Sequence, residues 1–269
     1  MSQTFYENVV IITGASSGIG AELARQLAAQ GAWLALAARH ADPLDAVAEQ
    51  VRARGGRALI VPTDVSAREQ CEALIARTVS EYGRIDTLVC NAAAGMWATL
   101  EEVQDPALYE QIARVNYLGT VYPVYYGLSH LRQTRGRIVG VSSLAGRTGV
   151  PARTGYSAAK HAQIGFLESL RVELLGSGVS VTILLPDFVA SGFHERIVGG
   201  DGQPLGKGHP VDYRRAMSTE QCARISVKAI AARKRQVIMS ARGRLGQWLK
   251  LVAPGLIDRV ARRAIQTGR

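Results

Sequence analysis

Tyr156 and Lys160 stand four residues apart in Tyr156-Ser157-Ala158-Ala159-Lys160, inside a segment, Gly155 to Leu175, whose pattern predicts a helix. Residues at that spacing share one helix face. A phenol near pKa 10 is a poor acid–base group at neutral pH. A neighbouring ammonium favours the phenolate and lowers that value, and a positively charged ring bound nearby would act in the same direction. Tyr156 can then give a proton to a carbonyl oxygen that is being reduced, or take one from an alcohol that is being oxidised. Ser143 closes a predicted strand, and its hydroxyl can hydrogen-bond the same oxygen and stabilise its developing charge. A second feature lies near the chain start, in Thr13-Gly14-Ala15-Ser16-Ser17-Gly18-Ile19-Gly20. Glycines let the backbone turn tightly and approach a pyrophosphate, and the helix that follows offers free N–H groups and the positive end of its dipole.

These residues need a scaffold, and the chain predicts one. Val9 to Ile12 is a strand, the glycine turn follows, and Ala21 to Gln30 is a helix. The alternation continues with strands at Trp33–Ala38, Ala58–Val61, Thr87–Cys90, Arg137–Val141, Val179–Leu185 and Gln236–Met239. Between them fall helices at Leu44–Arg54, Arg68–Tyr82, a long one from Pro106 to Leu131, Gly155–Leu175 and Thr219–Arg233. Apolar strands separated by helices imply an α/β fold: a doubly wound, Rossmann-like parallel sheet covered on both faces. Gly192 to Met217 breaks the pattern with Gly199, Gly200, Gly202, Pro204, Gly206, Gly208 and Pro210. It reads as a long loop over the ligand-binding edge of the sheet, in the manner of a lid.

Taken together, these segments resemble the short-chain dehydrogenase/reductase family. Three residues separate Gly14 from Gly18, as in that family's glycine turn, and Ser143 lies at its spacing upstream of the Tyr156/Lys160 pair. Asn91-Ala92-Ala93 stands where the family has Asn-Ala-Gly, Asn116 follows Val115, and Pro186-Asp187 replaces the usual Pro-Gly. The resemblance implies Asn116, Ser143, Tyr156 and Lys160 as catalytic residues, with Asn116 ordering a water that links Lys160 to solvent. It implies a nicotinamide dinucleotide held by Gly14, Ser16, Ser17, Gly18, Ile19, Gly20, Arg39, Asp64, Val65, Asn91, Ala92, Ala93, Tyr156, Lys160, Pro186, Val189 and Ser191. NAD-specific members carry an acidic residue after the second strand. Here Ala38-Arg39-His40 has none, and Arg39 suits a 2′-phosphate, so NADP is expected rather than NAD. Met96, Trp97, Leu144, Val150, Phe188 and Phe193 suggest a hydrophobic ketone or alcohol. A β-ketoacyl carrier-protein reductase and a non-catalytic NADP sensor are the alternatives. A homodimer or homotetramer is what the resemblance implies.

Charge divides the chain. Residues 1–213 hold 18 Lys and Arg against 20 Asp and Glu, whereas 214–269 hold 14 against 2. The excess is therefore one local basic surface, without the motifs of nucleic-acid binding. A core domain is expected over 1–241 and a basic, amphipathic helical extension over 242–269, suited to an anionic bilayer surface, another subunit or the substrate entrance. No apolar run reaches transmembrane length, and the first residues do not read as a signal peptide, so a cytoplasmic protein is expected, membrane-peripheral if the extension takes the first of those partners. Cys71, Cys90 and Cys222 lack metal or redox spacing, and no metal is expected.

Overall fold

The computed structural model describes residues 4–206 and 216–266. Gly208 and Pro210 of the long loop lie outside these described residues. The strands are β1 (Val9–Thr13), β2 (Trp33–Ala38), β3 (Arg57–Pro62), β4 (Thr87–Cys90), β5 (Arg137–Val141), β6 (Ser180–Leu185), β7 (Val189–Ala190), β8 (Met217–Ser218) and β9 (Gln236–Ile238). The α-helices are α1 (Gly18–Ala28), α2 (Asp42–Arg52), α3 (Arg68–Tyr82), α4 (Ala107–Ala113), α5 (Gly119–Gln133), α6 (Thr154–Glu173), α7 (Thr219–Ala231), α8 (Ala241–Val252) and α9 (Pro254–Gln266).

Seven strands form one parallel sheet in the order β3-β2-β1-β4-β5-β6-β9. Alternation along each strand divides its side chains between two cores. Val10 and Ile12 of β1, with Leu34 and Leu36 of β2, pack under α1, α2 and α7. Ile11, Ala35 and Ala37 face the other way and meet Leu74, Val124 and Leu167 from α3, α5 and α6. Every residue of β1 is buried because both faces are covered. The chain leaves β1 toward β2 and β3 on one side and later returns to β4 on the other. The order therefore reverses at the carboxyl ends of β1 and β4, which is where sheets of this kind leave a ligand crevice.

Two expectations need adjustment. The helix expected over Pro106 to Leu131 runs unbroken from Ala107 to Gln133, but it contains a π-helical turn, Arg114–Leu118, between α4 and α5. Pro123 lacks the N–H that would bond the Gly119 carbonyl, and Asn116 Nδ2 donates to the carbonyls of Ile112 (2.9 Å) and Ala94 (2.8 Å). The Asn116 bonds compete with the regular ladder at this turn, and Pro123 removes the bond that Gly119 O, just after it, would accept. The long loop is also less irregular than its glycines suggest. It begins with a short 3₁₀ turn, Phe193–Arg196, and Val198 bridges to Met96. Its far end, β8, pairs in parallel with β7. The helical extension is present as α8 and α9, which pack on each other.

Candidate active site

A cleft of about 430 Å³ opens at the switch point. The glycine turn forms its floor. Gly14 and Gly18 have φ of +65° and +56°, in the left-handed region. A Cβ on Gly18 would lie 2.9 Å from the Ser191 carbonyl oxygen, so the turn and the strand-six loop approach as closely as backbones can. Ser17 caps α1 with extended backbone and no side-chain bond to the helix, and the first turn holds no acidic residue. The N–H groups and dipole of α1 are therefore open toward an anion. Asn91 locks this floor to β4: its Nδ2 donates to the carbonyls of Thr13 (2.9 Å) and Gly14 (3.1 Å). Thr13 Oγ1 accepts from the backbone N–H groups of Asn91 and Ala92.

At one end of the cleft Arg39 and His40 follow β2, beside Thr63, Asp64 and Val65. The Arg39 guanidinium is exposed and has no hydrogen bond or ion pair among the described residues. The Asp64 carboxylate is engaged locally, accepting from Ser66 N (2.9 Å) and Ser66 Oγ (2.7 Å). Arg39 is the exposed cation at this end of the cleft.

The other end gathers Ser143, Tyr156 and Lys160. Ser143 follows β5 and caps a 3₁₀ turn, Leu144–Gly146: its Oγ accepts from Ala145 N at 3.2 Å. The cap occupies an acceptor position and leaves the hydroxyl proton to donate. Tyr156 and Lys160 occupy one face of α6, both buried, with Nζ 5.8 Å from the tyrosine ring centre. Lys160 Nζ donates to Val141 O (3.0 Å) and Gln163 Oε1 (3.3 Å). Gln163 Nε2 continues to Thr120 Oγ1 (2.8 Å). Burial pushes the Lys160 ammonium down from its usual value to about 7. The lysine therefore sits at the midpoint of its charge near neutral pH.

Most of the residues expected from sequence border this one cleft, Ile19, Ala92, Ala93, Pro186, Val189 and Ser191 included. Two do not. Gly20 is buried beneath the turn, where a Cβ would meet Gly14 O at 2.3 Å, so its role there is packing. Asn116 lies behind the cleft, fully buried, with Oδ1 lacking a partner among the described residues. Of the apolar residues expected near substrate, Phe188 and Phe193 line the cleft, and Phe193 packs 6.2 Å from the Tyr156 ring. Met96 is buried behind Gly155, and Leu144 lies against Gly243. The sequence reading missed Arg153, held over the rings of Trp97 and Phe188 at the cleft wall, and Arg196, whose Nη1 donates to Ser17 Oγ at 3.0 Å. Arg153, three residues before Tyr156, carried a positional signal. Arg196 carried none, because its contact spans the loop to the far end of the sequence. The three cysteines are buried, and burial raises the Cys71 and Cys222 thiols to about 12, which leaves them protonated and inert.

A doubly wound sheet with a glycine turn, an open helix end and a Ser–Tyr–Lys group in one crevice defines a dinucleotide-dependent oxidoreductase. The chain belongs to the short chain dehydrogenase family, whose model matches residues 8–200. It is 35% identical over 250 residues to an 11-beta-hydroxysteroid dehydrogenase-like protein 4A of Arabidopsis thaliana, covering 93% of this chain and 82% of that one. Among solved structures it is similar to a short chain dehydrogenase/reductase of Burkholderia phymatum in complex with NAD (26% identity, 95% and 96% coverage, TM-score 0.83). It is also similar to an alcohol dehydrogenase of Thermococcus sibiricus complexed with 5-hydroxy-NADP (27% identity, 86% and 93% coverage, TM-score 0.73).

Proposed function

We propose that this chain interconverts a hydrophobic ketone and its secondary alcohol with NADP(H). The observation that carries this reading is the convergence of Ser143, Tyr156 and Lys160 on the crevice that also holds the open end of α1. A nicotinamide dinucleotide bound there supplies or accepts the hydride. The chain's own groups do the rest. The glycine turn and the α1 N-terminus hold the diphosphate, with Ser191 and Val189 across from it. Tyr156 donates a proton to the ketone oxygen in reduction and removes it in oxidation. Ser143 donates to the same oxygen and stabilises its charge. Lys160 biases the Tyr156 hydroxyl while it is charged, and Asn116, with an unsatisfied buried oxygen, positions a water behind it. Phe188 and Phe193 wall the substrate side, and plant relatives bearing the hydroxysteroid dehydrogenase name support a large apolar substrate.

Arg39 supports NADP over NAD, since its exposed guanidinium borders the cleft and no carboxylate pairs with it among the described residues. Arg39→Asp should shift the NADP/NAD ratio of kcat/KM toward NAD by about a hundredfold. Kinetics with both cofactors check this, and an unchanged ratio rejects the NADP assignment. Arg196 acts at the diphosphate, beside Ser17. Arg196→Ala should weaken binding of NADP and NAD alike by about tenfold, the loss of one charge-assisted bond. Calorimetric titration of both cofactors separates this common loss from the selective loss expected at Arg39.

A further inference from the structure

The exposed apolar surface of this protein is concentrated at one place. Of eleven large hydrophobic side chains exposed among the described residues, six lie on α8 and α9: Leu245, Trp248, Leu251, Val252, Leu256 and Val260. Leu245, Trp248 and Val252 recur at intervals of three and four and form one stripe on α8, with Trp248 73% and Val252 80% exposed. The opposite side of α8 is fixed to the domain. Gly243 is buried so closely that a Cβ would meet Leu144 at 2.7 Å, and Lys250 Nζ donates to Arg147 O at 2.7 Å. The bare stripe therefore faces away from the core.

The same helices carry Arg244, Arg259, Arg262 and Arg263, besides Arg242, which is held by Asp187, and Lys250, which is held by the domain, against a single acidic residue, Asp258. This charge decides what covers the stripe. A second copy pairing through the same face would bring two cationic surfaces together, and like charges juxtaposed at an interface are costly. An anionic lipid surface attracts the basic residues and receives the apolar stripe at once.

The position of the helices gives the stripe a function. Asp187 stands where the family's Pro-Gly pair has glycine, and its carboxylate borders the cleft. It accepts from Arg242 Nη2 at 2.8 and 2.9 Å and from Ser240 Oγ at 2.9 Å, tying the start of α8 to the cleft rim. We propose that α8 and α9 form a docking surface for an anionic phospholipid bilayer, seated so that the cleft takes its apolar substrate from the lipid phase. The docking stands by itself; the delivery of substrate rests on the function proposed above.

Flotation of the full chain, without cofactor, on vesicles of phosphatidylcholine and of phosphatidylcholine mixed with phosphatidylserine tests the docking. Binding to the mixed vesicles should be at least about tenfold stronger, should weaken as salt is raised, and should blue-shift Trp248 emission. The double substitution Leu245→Glu, Trp248→Glu should remove that binding while turnover of a water-soluble ketone is unchanged, because both side chains lie outside the fold's core. Equal binding to both vesicles, or binding retained by the double variant, overturns the docking. So does a wild-type chain that ignores vesicles but self-associates through a contact the double variant loses. If docking holds, mixed vesicles should raise turnover of a lipid-dissolved ketone by wild type and not by the variant; an unchanged rate overturns the delivery.

Discussion

Tyr156→Phe should lower kcat for ketone reduction about a thousandfold, the middle of the range by which a positioned proton donor accelerates such a step. The substitution removes one oxygen and keeps the ring. Packing against Phe193 and the burial of α6 should persist, so affinity for the dinucleotide, read by titration, should change little. That split between lost turnover and retained binding is the diagnostic result. It distinguishes a proton donor from a residue that merely shapes the cleft. Retained turnover in Tyr156→Phe would assign the proton to another group and end the mechanism proposed here.

Lys160→Met should also abolish turnover, and it should do something less expected to stability. Lys160 is 1% exposed, and burial holds its value at about 7 against an ordinary 10.5. Between those two values the unfolded chain binds more protons than the folded one, so the folded state gains stability as pH rises from about 7 to 10.5. The penalty of burying the lysine is full below pH 7 and disappears above 10.5. Methionine carries no such penalty. The difference in melting temperature between Lys160→Met and wild type should therefore be largest near pH 6 and shrink steadily toward pH 9. Two pH units inside the window correspond to at most about 3 kcal/mol, or roughly 5–10 °C for a chain of this size. The bonds that methionine cannot make to Val141 O and Gln163 Oε1 lower the variant by an amount nearly independent of pH, so the slope, not the offset, is the test. Titrating groups other than Tyr156 and Cys90, which lie beside Lys160, are common to both proteins and cancel. A gap that does not change with pH would show that Lys160 titrates normally. The site would then hold a permanent ammonium beside Tyr156 across the neutral range.

Several parts of this molecule were legible in the sequence because they are local. The apolar runs at Val9–Thr13 and Trp33–Ala38, short and bounded by turn residues, read as strands buried on both faces, and the glycine turn between β1 and α1 needs positive φ that glycine supplies. Tyr156 and Lys160 share a helix face by periodicity alone. The π turn at Arg114–Leu118 was not legible. It accompanies Asn116 reaching the Ala94 carbonyl, 22 residues away, a contact that helix periodicity does not register. The departure of Asp187 from the family's glycine was visible, yet its meaning was not. Only the folded chain brings Ser240 and Arg242, more than fifty residues later, against its carboxylate.

By itself the sequence determined the order and kind of the elements and the candidate chemical groups, since hydrophobic period, glycine geometry and residue type act over a few neighbouring residues. Tertiary structure decided which of those groups share a cleft, how far burial moves the lysine, and that Arg196 reaches the glycine turn while Gly20 and Asn116 stand behind it. Those properties depend on dielectric and distance between segments remote in the chain, and neither quantity exists until the sheet has closed around them.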